Sequence, residues 1–299
     1  MANKFHYGGQ AVIEGVMMLG RKSMSIAVRR SGGDITTFNM ALKGLHVSKI
    51  KKVPLLRGII TLVETMIIGI QAITYSANAS LESEGIQMKK GATVGMVALA
   101  LLFSFGLFFM LPLFLTNLVD PHINSSLASN LVDGIIRMSV FIIYLVVVNQ
   151  LPEMKRIWSY HGAEHKTINA YENGAPLEVN AVKSFSTAHV RCGTAFLLIT
   201  MVVSVIVFAF VGRPVLWIRI LSRVFLVPVI AAISYEITRF NAAHADNRVI
   251  IALTLPGLAL QKITTREPDN GQIEVAITAL KSVITHDESN DAVPADSTS

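Results

Sequence analysis

The sequence predicts a mainly α membrane protein with about four transmembrane helices and a small N-terminal antiparallel β-sheet. Of its residues, 52% are hydrophobic and only 15% charged, too apolar for a soluble domain. Four runs, at 93–119, 135–151, 194–212 and 215–235, meet the roughly 20-residue requirement for crossing a ~30 Å hydrocarbon core. Charge is also asymmetric: residues 1–92 carry twelve Lys and Arg, 120–134 none and 152–193 five. Basic flanks stay cytoplasmic. The chain is therefore expected in the cell membrane as a multi-pass protein, with both termini and the 152–193 loop cytoplasmic.

In chain order, residues 1–50 read as a small cytoplasmic β region with strands at 10–19, 23–30 and 34–40. The last two are joined by Ser31-Gly32-Gly33, a turn that tolerates positive φ. No apolar core of a cleavable signal occurs there. Residues 51–92 comprise a helix at 54–79 and a linker at 80–91. Because that helix contains Arg57 and Glu64, it is expected to be re-entrant or to lie on the membrane surface. Residues 93–270 form the four-span domain. The short second span places Arg137 where it would snorkel to one interface. Gly212-Arg213-Pro214 makes a tight hairpin, after which Arg219 and Arg223 should snorkel outward or face protein. Residues 271–299 are expected to form an amphipathic helix near 273–284 and a disordered tail from His286.

The single cysteine, Cys192, excludes an intrachain disulfide and fits a reducing compartment. A pI near 9.5 would suit nucleic acid, yet the basic residues flank apolar spans, where anionic headgroups account for them. The expected partner is the lipid bilayer, with a membrane protein beside it under a non-enzymatic reading. Nucleic acid is not expected, and the residues set no oligomeric state.

Reactive side chains concentrate in His161-Gly162-Ala163-Glu164-His165, an H-x-x-E-H pattern. On a helix, His161 and His165 share a face and can hold one divalent metal, zinc above all, with Glu164 as general base. Asn173-Gly174 supplies the helix stop. A further ligand is expected from His189, Cys192, Glu236 or, if the helix bends, Glu172, which otherwise orients His165. Alternatively Cys192, beside Arg191 at a helix N-terminus, is a thiol nucleophile with His165 or His189 as base. The bland readings are a small buried cysteine and an ion pair between Glu236 and Arg239. His6, His46, His122 and His286 read as solvated or structural, and His244, a weaker ligand candidate, reads as structural.

The run Gly8-Gly9-Gln10-Ala11-Val12-Ile13-Glu14-Gly15-Val16-Met17-Met18 stands near the start, and Thr264-Thr265-Arg266-Glu267-Pro268 near the end. With the blocks at 161–172 and 189–194, these make the sequence resemble the YqhQ-like bacterial membrane proteins, family 1385 of the domains of unknown function. The resemblance spans roughly residues 5–270, and Val190 stands where a proline is expected. It implies a predicted metal-dependent enzyme. Gln10 and Glu14, four apart on one strand, would reach one site or else bond neighbouring loops. Arg57, Arg266 and Glu267 would contact an anionic substrate or tie segments together. The expected function is a metal-dependent hydrolase acting at the cytoplasmic membrane surface on a membrane-associated peptide or lipid. The alternative is a non-enzymatic assembly factor or small transporter with a structural His cluster.

Overall fold

A computed structural model describes residues 5–42, 53–82, 90–212, 214–244 and 247–291. Its sheet has four antiparallel strands in sequence order: β1 (Gly8–Val12), β2 (Gly15–Leu19), β3 (Ser23–Arg29) and β4 (Ile35–Ala41). The expected single strand at 10–19 is two strands. The chain reverses at Ile13-Glu14, with Glu14 at φ 53°, so that Gln10 pairs with Met17 and the two proposed site residues do not share a strand face. The Ser31-Gly32-Gly33 turn forms as expected, with Gly33 at φ 90°.

β3 is buried on both faces although its sequence alternates, with Met24, Ile26 and Val28 on one side and Ser23, Ser25 and Ala27 on the other. Met24, Ile26 and Val28 face helix α1 (Leu56–Leu81) through Ile68, Ala72 and Ala79. Ala27 faces the final helix, α11 (Asn270–Asp291), through a core that includes Ile273, Ala276 and Leu280. The disordered tail expected from His286 is corrected for 286–291, since this helix continues to Asp291, and the rest of that tail, 292–299, lies outside the described residues. Its Asp287 accepts from the Arg21 and Lys22 amides at 2.6 and 3.0 Å and from Ser23 Oγ at 2.8 Å. Completing this head are α5 (Pro152–Glu172) and the short α6 (Val179–Lys183).

Among the described residues, four helical stretches are long and apolar enough to cross a membrane. They are α1; the continuous 91–122 segment containing α2 (Lys90–Phe105), a π-turn (Gly106–Met110) and α3 (Leu111–Val119); α4 (Ser126–Val148); and α7 (Gly193–Val211). The fourth expected run differs. It is two helices, α8 (Leu216–Phe225) and α9 (Val227–Ala243), bent by 45° where Pro228 opens the second. One helix went unforeseen: α10 (Arg248–Thr264), apolar but interrupted in pattern by Pro256. α1 meets the membrane criteria, yet one face packs on the sheet and Gly58 lies against Ala232 of α9. Most of the 80–91 linker lies outside the described residues, as do Arg213 and His46.

Arg137 does not snorkel. It is 3% exposed and donates to Asp133 Oδ2 at 2.7 Å, while Arg223 donates to the same oxygen at 3.1 Å. The Arg223 guanidinium carbon lies 3.9 Å from the Phe208 ring centroid, so the aromatic face shares a charge that one carboxylate does not neutralise. Arg219 pairs with Asp120 at 3.0 Å. Both α8 arginines thus face protein. Replacing Asp133 with Ala strands two buried guanidinium groups, and we expect a loss of about 3–5 kcal/mol. Thermal unfolding in detergent would show it as a clear drop in midpoint; an unchanged midpoint would refute the pairing as a stabilising contact.

A candidate metal centre between the head and the membrane helices

α5 begins with Pro152 at its first position and ends where Gly174, at φ 71°, turns the chain away. Its charged and amide side chains clamp the loop that follows α6. Lys166 Nζ donates to the Lys183 and Phe185 carbonyls at 2.9 and 2.8 Å. Asn169 Nδ2 donates to the Ser186 and Ala188 carbonyls at 2.8 and 3.0 Å. A second segment, leaving α10, crosses α5 at Gly162, where an added Cβ would fall 2.0 Å from the Arg266 carbonyl oxygen. The Arg266 amide also donates to the Trp158 carbonyl at 2.9 Å.

Those two segments orient the imidazoles. His161 Nδ1 lies 2.7 Å from the Thr264 carbonyl and His165 Nδ1 lies 2.6 Å from the Thr187 carbonyl. A carbonyl only accepts, so each Nδ1 carries a proton and each Nε2 presents its lone pair. The two Nε2 lone pairs converge with Cys192 Sγ, which is 3.4 Å from His161 Nε2. Ligand atoms of His161, His165 and Cys192 all lie within 4.8 Å of one another. Cys192 is also the N-cap of α7, accepting from the Thr194 amide at 3.4 Å.

His189 has the opposite tautomer. Its Nδ1 accepts from the Arg191 amide at 3.3 Å, which leaves the proton on Nε2, directed to Glu172 Oε2 at 3.4 Å. Gln261 fixes its backbone, accepting from the His189 amide at 3.1 Å and donating to the His189 carbonyl at 2.8 Å. The His189 ring therefore stands beside the cluster with both nitrogens engaged. Glu172 is taken up by His189, Arg191 and His6, and it does not orient His165. Glu236 lies elsewhere, binding Arg57 rather than Arg239. Glu14 pairs with Arg156 and Tyr160, Gln10 packs over Gly69 of α1, and Arg266 donates to Asn149 Oδ1 at 3.2 Å. Glu267 pairs with Lys166, and His244 bonds the Phe240 carbonyl of its own helix.

Glu164 Oε2 is 3.5 Å from His165 Nε2. Burial pushes the Glu164 carboxyl up, and His161, His189 and the Gly9 amide pull it partly back. Burial likewise lowers the His165 imidazole, with Cys192 opposing, and lowers His189, with Glu164 opposing. Gly9 sits on Glu164 so closely that a Cβ there would be 2.7 Å from its Cγ. These groups line a cleft of about 520 Å³ whose other walls come from the 5–9 segment, Arg21, α1 and Tyr235.

His6, Gly9, Thr187, Thr264 and the α1 wall escape sequence reasoning. The backbone carbonyls carry no side-chain signal at all. The close approach at Gly162 could have been singled out, since that glycine stands beside His161 inside the motif.

A family model described as "Protein of unknown function (DUF1385)" matches residues 53–286. The chain is also similar to the uncharacterised protein YqhQ of Bacillus subtilis (strain 168), with 35% identity over 294 residues that cover 93% of this chain and 92% of the relative. No solved structure matches.

Gly162→Ala should force the 265–266 backbone off α5 and cost about 1–3 kcal/mol by overpacking. It should also release the Thr264 carbonyl from His161. Thermal unfolding together with the His161 imidazole NMR signals would test this; wild-type values for both would refute the crossing.

Proposed function

The chain belongs to the DUF1385 family, and from that premise and the geometry above we propose that it is a metal-dependent hydrolase. It acts at the cytoplasmic membrane surface on a membrane-associated substrate, a peptide or a lipid. One observation carries the reading: two imidazoles, each locked through Nδ1 to a backbone carbonyl, aim Nε2 at one thiol. Metal-bound histidines are oriented by such bonds.

The donors fit zinc, which imidazole nitrogen and thiolate sulfur both bind, and three protein ligands leave a position open as catalytic sites do. His161, His165 and Cys192 would hold the ion. When bound, it supplies a Lewis acid and a water acidic enough to ionise near neutrality. The protein's own part is positional. Thr264 and Thr187 fix the imidazoles, the head and α1 shield the cleft, and Glu164 is the buried carboxyl placed to take and return a proton. Its raised affinity for protons suits that exchange.

A second reading has its own support. The 3.4 Å contact from Cys192 Sγ to His161 Nε2 is also a thiol–imidazole pair, suited to nucleophilic catalysis without metal. Alkylation would then abolish activity and chelation would not.

Elemental mass spectrometry of tag-free, detergent-purified protein decides between them. Wild type and Glu164→Gln should carry a near-stoichiometric divalent ion, and His161→Ala/His165→Ala should carry none. Equal, negligible metal in all three, even after reconstitution, would overturn the metal reading. With an assay in hand, Glu164→Gln should lose about 10²–10⁴-fold in kcat while keeping its metal. Because burial holds the His165 imidazole below its ordinary 6.5, proton competition sets in below that pH. Metal should be released as the solution is acidified through the range that protonates this imidazole, and full metal content retained in acid would contradict His165 as a ligand.

A further inference from the structure

The membrane helices enclose a second charged cluster, which takes no part in the chemistry above. Asp133 and Arg137 come from α4, Arg223 from α8, Ser204 and Phe208 from α7, and Thr116 from α3. Along α7, Ser204 stands ~18 Å of helix rise beyond Cys192. Asp133, Arg137 and Arg223 are each 4% exposed or less.

The charges of this cluster do not balance. Arg137 and Arg223 both donate to Oδ2 of Asp133, whose other oxygen takes the Thr116 hydroxyl at 3.5 Å. Asp120 is engaged by Arg219 at 3.0 Å and by the Ser129 hydroxyl. Two guanidinium groups thus share one carboxylate. Donors are left over as well: Arg137 Nε, Arg223 Nε and Arg223 Nη1 are enclosed and have no hydrogen-bond partner among the described residues. Phe208 lies against both groups, its centroid 5.0 Å from the Arg137 guanidinium carbon and 3.9 Å from that of Arg223. A ring face shares charge but offers no lone pair to an N–H.

Excess charge and unmet donors in one enclosed place define what completes the cluster. A water molecule would accept from the N–H groups and leave the charge, and a cation would add to it. An anion answers both. Enclosure favours a small one, and a monatomic ion accepts from N–H groups in any direction. We propose that Arg137 and Arg223 form a binding site for a small monovalent anion of the chloride class, separate from the reactive cluster and independent of the hydrolase reading. The ion accepts from the N–H groups that Asp133 leaves unmet and so ties α8 to α4.

The test titrates chloride against isethionate, a bulkier organic anion, at constant ionic strength on the full-length, tag-free protein in detergent. The readouts are the midpoint of thermal unfolding and the NMR line width of chloride. Wild type should broaden the chloride line and gain midpoint saturably as chloride replaces isethionate. Arg223→Gln, which leaves one guanidinium for one carboxylate, should weaken chloride about tenfold or more by removing charge-assisted bonds. Asp133→Asn, which removes the competing negative charge, should tighten chloride about tenfold and regain with it much of the stability that the substitution costs. His161→Ala/His165→Ala should respond as wild type does. Absence of broadening by wild type, a result that needs no variant to fold, would overturn the inference. So would a chloride response unchanged in both Arg223→Gln and Asp133→Asn, which would mark an adventitious ion only. A response lost in the double histidine variant would also overturn it, by moving the ion to the reactive cluster. Sulfate acting as well as chloride at equal ionic strength would overturn the choice of a small monovalent ion.

Discussion

Everything at the centre hangs on how closely the backbone leaving α10 can approach α5. An α-helix presents side chains outward, and a crossing strand is normally held off by a Cβ. At Gly162 there is none, and the Arg266 carbonyl occupies the space. That approach sets the height of the Thr264 carbonyl, one helical face away, at hydrogen-bonding distance from His161. The opposite imidazole is held by the loop that Lys166 and Asn169 pin to the same helix. α5 thus carries both imidazoles and the anchors of the segments that aim them. The glycine between the histidines of the motif is as much a part of the geometry as the histidines.

The three clustered histidines are chemically distinct because of what their Nδ1 atoms meet. Two meet carbonyls and expose a lone pair at Nε2; the third meets an amide and must carry its proton at Nε2, toward Glu172. Burial disfavours a charged imidazole at His165 and at His189 alike, so burial alone does not divide them. Hydrogen-bond direction does. The same accounting explains Glu172, whose carboxylate is surrounded by His6, His189 and Arg191 and serves the cleft wall, not the cluster.

Much of the fold was legible in the sequence, since apolar length alone identifies the runs now seen as α2–α3, α4 and α7. The errors fall where local pattern and tertiary context part. Residues 10–19 read as one strand because both halves are apolar and the reversal rests on the backbone of Glu14, which has no compositional signature. Arg137 was placed at an interface because its partner, Asp133, fell just outside the expected span, and a buried charge is intelligible only with its counter-charge. α10 was missed because Pro256 breaks the pattern while neighbouring helices hold the backbone. The polar-looking 286–291 stretch is helical, and it is anchored where Asp287 accepts from three donors on the β2–β3 turn. At the centre, H-x-x-E-H and Cys192 were visible. Which candidate would join them was not, because tautomers are set by backbone atoms brought from positions far along the chain.

The contact between Asp287 and the 21–23 turn also has a consequence in time. Its partners lie 266 residues apart, and the head closes only when α11 covers the outer face of β3. At ordinary rates of synthesis, tens of seconds separate the emergence of the two. During that interval the outer face of β3 and the core face of α5 lack the helix that covers them. The order of synthesis therefore leaves to the end the step in which α11 covers β3 and α5 and completes the head.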